Sequence, residues 1–64
     1  PETPGTLFLR ALSHDKLQQC GAAIENYERF LATGPDKRSD QYLEATGRLR
    51  ALKRTCRERR RRVE

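Results

Sequence analysis

Between Asp15 and Leu31 the apolar side chains Leu17, Cys20, Ile24, Tyr27 and Leu31 are spaced by 3, 4, 3 and 4 residues. Ala23 and Phe30 widen the stripe, which has the period of an amphipathic helix. Tyr42, Ala45, Leu49, Leu52 and Cys56 repeat the same steps, and the count carries on to Arg59 and Val63. A second helix is predicted there, opened by Ser39 or Asp40, with an apolar signal that fades where the arginines begin. Between the two, Thr33-Gly-Pro-Asp36 ends the first helix: Gly34 suits a left-handed cap and Pro35 cannot continue the ladder. Upstream, Leu7-Phe-Leu-Arg-Ala-Leu12 reads as a short helix capped by Thr6. Ser13 and Asp15 then either cap a new helix or lie on the exposed face of a continuing one. Alternation of period two is absent, so no strand is predicted.

Two amphipathic helices joined by a short loop fold into an antiparallel hairpin. Folded about Asp36-Lys37, the stripes oppose Leu31 with Tyr42, Tyr27 with Ala45 or Thr46, and Ile24 with Leu49. Cys20 then faces Leu52, Leu17 faces Cys56, and Ile24 with Leu49 becomes the centre of the core. The expected fold is all-α: this hairpin, a short N-terminal covering helix completing a three-helix unit, and a long basic C-terminal helix. Residues 1–5 form a turn-rich, frayed leader, 6–56 the helical domain and 57–64 a basic tail. Gly47, inside the last helix, is expected to mark a close backbone approach.

Length changes this picture little, composition more. Of 64 residues, 34% are hydrophobic and 36% charged, with no Trp or Met and four Phe and Tyr together. So thin a core leaves seam-edge side chains for a partner, and Phe8, Leu12, Tyr27, Phe30 and Leu31 are the candidate partner-binding residues. Tyrosine suits such a place because its ring is apolar and its hydroxyl stays wet. The opening at Pro1 and the ending after Val63-Glu64 read as an excised fragment of a larger protein. No apolar run approaches the ~20 residues that span a membrane.

The net charge of +5 is unevenly placed. Residues 1–47 hold five Lys/Arg against seven Asp/Glu, whereas residues 48–64 hold nine against two. Arg57, Arg59, Arg60, Arg61 and Arg62 are candidate contacts for importin or nucleic acid, or else the solvated end of a helix. With no aromatic residue among them, nucleic-acid binding would be sequence-blind.

Cys20 and Cys56 lack a CxxC spacing and have only His14 as a companion, so no metal site is expected. They read as free thiols in a reducing compartment, nuclear or cytoplasmic, and the hairpin register keeps them out of bonding distance. His14 beside Asp15 reads as a surface pair. With no nucleophile–base set and no glycine-rich phosphate loop, neither an enzyme, a cofactor nor a small-molecule substrate is expected.

Two resemblances add to this reading. Ala23, Tyr27 and Pro35 stand where the second helix of a tetratricopeptide repeat has its small residue, aromatic residue and helix-ending proline. That resemblance puts the first-helix positions on Leu7, Arg10, Ala11 and His14, with the turn near Gln18-Gln19. Arg10 and His14 depart from the family's apolar and aromatic residues. Ala11, Asp15, Ala23 and Tyr27 also resemble the pattern of the MIT domain, a three-helix module that binds helical tails of membrane-remodelling proteins. The MIT resemblance implies a module whose partner is a helical segment of another protein. The thin seam of the hairpin itself points to a non-enzymatic interaction module that binds an amphipathic helix or pairs with a second copy. Nucleic acid is the secondary candidate.

Overall fold

In the computed structural model, residues 3–62 are described, with side chains through Arg57. They form three helices, α1 (Pro4–Lys16), α2 (Cys20–Ala32) and α3 (Asp40–Arg62). The all-α expectation therefore holds among the described residues, with the hairpin formed by α2 and α3.

The N-terminal boundary lies earlier than the sequence suggests. Thr3, not Thr6, is the cap: its hydroxyl accepts the Thr6 N–H at 3.1 Å. Pro4 opens the helix, where a missing N–H costs nothing because that donor has no partner inside the helix anyway. Only Pro1 and Glu2 of the expected leader lie outside the described residues. The helix runs through Ser13 and Asp15, which decorate it and do not interrupt it.

The break comes at Leu17–Gln19, at the start of the stripe that reads as one helix from Asp15. Gln18 takes a left-handed φ of 60°. The Gln19 N–H returns to the His14 carbonyl at 2.8 Å. His14 Nδ1 and Gln19 Oε1, 2.6 Å apart, close the same turn. Leu17 is consequently outside the core and 67% exposed. A 3–4 spacing stays in phase across so tight a turn, and no glycine or proline advertises it.

At the end of α2, Gly34 has a φ of +74° and its N–H reaches the Leu31 carbonyl at 3.2 Å, as the left-handed cap requires. Asp36 Oδ1 then accepts the Arg38 N–H at 2.9 Å. Ser39 caps α3 by accepting the Tyr42 N–H at 3.1 Å.

Helix α2 is the shared element, packed on α1 and on α3. The core is Leu7, Phe8 and Ala11 from α1, Ala23, Tyr27 and Phe30 from α2, and Ala45 and Leu52 from α3. Ala11, Ala23 and Ala45 have no exposed surface at all. Small side chains at these contacts let the helices close around three aromatic rings. Phe8 stacks tilted on Phe30 at 5.3 Å between centroids and edge-on to Tyr27 at 6.3 Å, geometries that aromatic quadrupoles favour.

This arrangement corrects the expected register. Cys20 lies opposite Cys56, not Leu52, with Cα atoms 5.9 Å apart and the sulfurs joined in a disulfide. Neither cysteine is free. The hairpin has slipped by one helical turn from a fold about Asp36-Lys37. Such a slip leaves every seam residue opposite another seam residue, so the two stripes fit both registers equally. Ile24 and Leu49 are half-buried against the core instead of forming its centre. Gly47 is also reassigned: a Cβ built there meets nothing within 4 Å. Gly47→Ala is therefore expected to stabilise the fold by about 1 kcal/mol through helix propensity alone, read as a raised urea midpoint. An unchanged or lower midpoint would restore a packing role for this glycine.

Candidate functional site

The most tightly bonded polar group sits where the three helices meet. Asp15, near the end of α1, accepts from Arg48 Nε at 2.8 Å and from Arg48 Nη2 at 2.7 Å. It also accepts from the Tyr27 hydroxyl at 3.1 Å. The Asp15 side chain is 9% exposed, so the guanidinium fork seals it. Hydrogen bonds from Arg48 hold the Asp15 carboxyl below its ordinary value, against the opposing effect of burial. Burial, followed by the Asp15 charge, pushes the Tyr27 hydroxyl up to about 12. Arg48 is raised in turn, first by its hydrogen bonds to Asp15.

These shifts belong to a structural clasp. A depressed carboxyl contributes stability that is present above its unfolded value near 4 and lost as pH falls through the folded one. A raised tyrosine contributes stability that is full below about 10 and lost as pH climbs toward 12. Stability should therefore form a plateau between those limits. Asp15→Asn should flatten the acid limb and also weaken the alkaline limb, because the Asp15 charge and hydrogen bond help to raise Tyr27. Urea unfolding across pH checks this, and an acid limb unchanged in the variant would remove Asp15 from it.

Two adjoining concavities lie along α3, the first of them walled by α2 as well. One, of about 390 Å³, is walled by Gly21, Ile24, Lys53, Cys56 and Arg57. The other, of about 290 Å³, is walled by Thr46, Leu49, Arg50 and Lys53. Lys53 belongs to both and pairs with Glu28 of α2 at 3.2 Å. Half-buried Ile24 and Leu49 supply the apolar floor, and Arg50 and Arg57 stand exposed on the α3 side. Gly21 leaves its end open, since a Cβ there meets nothing within 4 Å. A third concavity, of about 280 Å³, lies between the end of α1 and α3 and includes Cys20, Arg48 and Leu52. The disulfide thus has one cysteine in the wall of each neighbouring hollow.

The residues expected to meet a partner are distributed differently. Phe8, Tyr27 and Phe30 are 8%, 0% and 1% exposed, so the core does bury them, contrary to the expectation of a seam too thin to do so. Leu12 and Leu31 are half-buried against that core. Arg57 is exposed on the groove wall; Arg59, Arg60, Arg61 and Arg62 continue the α3 backbone, but their side chains, like Val63, lie outside the described residues. The His14–Asp15 surface pair does not form: His14 closes the turn and Asp15 holds Arg48. Missed from sequence were the groove residues Gly21, Ile24, Leu49 and Lys53, the disulfide, and the Asp15–Arg48 pair. The pair spans 33 positions and has no local signal.

Among the described residues no three His, Cys, Asp or Glu side chains gather to hold a metal. No described helix is long and apolar enough to cross a membrane. Comparison with protein-family models, with curated proteins and with solved structures returns no match.

Proposed function

We propose that this chain is a non-enzymatic protein–protein interaction module that receives a partner helix along the α2–α3 groove. The observation that carries this reading is the open apolar floor of Ile24 and Leu49. A helix laid in such a groove buries side chains at three- and four-residue intervals. The strongly shifted titratable groups support a non-enzymatic role, because Asp15, Tyr27 and Arg48 are spent on one another. The buried Ala23 and Tyr27 fit the packing roles that the tetratricopeptide resemblance implies for them. The bonded cysteines favour an oxidising compartment over the nucleus or cytosol, where thiols are kept reduced.

The test is selection of amphipathic helical peptides on the oxidised chain, followed by shift mapping of amide resonances in a titration. Shifts centred on Ile24, Leu49 and Lys53 are expected. Shifts confined to α1, or no captured peptide, would sink the reading.

A second reading, a basic arm for nucleic acid or nuclear import, is favoured by one observation. Helix α3 continues to Arg62, beyond Cys56, its last described anchor on α2. Truncation after Arg57 separates the two: it keeps every residue of the groove wall but should strip most of the salt-dependent polyanion binding.

A further inference from the structure

Resting on the groove reading above, we propose that the partner is an acidic amphipathic helix whose carboxylates are read by the α3 wall. Arg50, Lys53 and Arg57 occupy positions i, i+3 and i+7 of one helix, so they share a face over about 10 Å of its length. Arg50 and Arg57 are exposed and join no ion pair among the described residues. Lys53 already shows how the wall engages a carboxylate, through Glu28 at 3.2 Å. A partner helix with apolar residues over Ile24 and Leu49 and acids along one flank satisfies both the floor and the wall.

Other occupants match less of the surface. A nucleic-acid backbone offers anions but nothing to cover Ile24 and Leu49. Phe8, Tyr27 and Phe30 are buried, which leaves half-buried Tyr42 as the aromatic residue nearest to a stacking platform. A second copy of the chain would bring two cationic walls together, since residues 48–64 hold nine Lys/Arg against two acids.

The test is a display library of helical peptides about four turns long, with leucines fixed at three- and four-residue spacing and flanking positions randomised. Selection on the oxidised chain is expected to enrich Asp and Glu on one flank. The selected peptide should bind about ten-fold more tightly than its Gln-flanked version, the sum of a few exposed ion pairs. Arg50→Glu with Arg57→Glu should reverse that preference, and Gly21→Phe, which fills open space, should abolish capture.

Circular dichroism reports whether these variants keep their helices, and shift mapping on the unaltered chain locates the peptide whether or not they do. Groove-bound peptides without acidic enrichment overturn the charge inference and leave the interaction reading standing. No groove-bound peptide overturns both. A single-stranded RNA that outcompetes the acidic peptide transfers the α3 wall to nucleic acid and overturns the proposal.

Discussion

Reducing the Cys20–Cys56 bond, or replacing either cysteine by serine, is expected to cost about 4 kcal/mol of stability, the loop-closure entropy for cysteines 36 positions apart. A chain of this length has only about 3–10 kcal/mol in total, so much of the population would unfold. The structure also says where the loss begins. Past Leu52 the described side chains of α3 are Lys53, Arg54, Thr55 and Arg57, all exposed, and half-buried Cys56. The disulfide is therefore the anchor of that end of α3 on α2, and amide exchange there should quicken first on reduction. Thermal melts with and without reductant, beside alkylation and mass measurement, check the claim. Two alkyl groups gained without any reductant would show that the bond does not form.

Tyr27→Ala or Phe30→Ala is expected to cost about 3–5 kcal/mol, since each removes an almost wholly buried ring from among alanines that have nothing to fill the space with. Leu31→Ala and Leu49→Ala should cost less, because these side chains are only half-buried. Tyr27→Phe separates ring from hydroxyl: it keeps the packing and loses only the hydrogen bond to Asp15, worth about 1–3 kcal/mol to a charged acceptor. Urea denaturation orders the series. If Tyr27→Ala proves no worse than Leu49→Ala, the aromatic cluster does not carry the fold.

Both predictions concern features that reading along the chain placed wrongly, and for different reasons. The aromatic residues lie on the periodic stripes, so their membership of the apolar face was legible. Their depth was not, because burial of Phe8 depends on α1 closing over Phe30 and Tyr27. The disulfide was lost through one helical turn of register. Periodic stripes repeat on that very interval, so they are silent about which repeat faces which.

What the sequence alone determined is the local part: helical periodicity, the Gly34 and Ser39 boundaries, the absence of strands and the cationic bias of α3. These follow from backbone preferences and spacing within a few residues, which need no knowledge of the rest of the chain. The tertiary structure alone decided the register, the Cys20–Cys56 bond, the Asp15–Arg48–Tyr27 clasp and the floor of the groove. Each of these joins residues far apart in sequence, and their meeting depends on how volumes fill the space between helices. Side-chain period says which face turns inward; only packing says how far along it the neighbouring helix comes to rest.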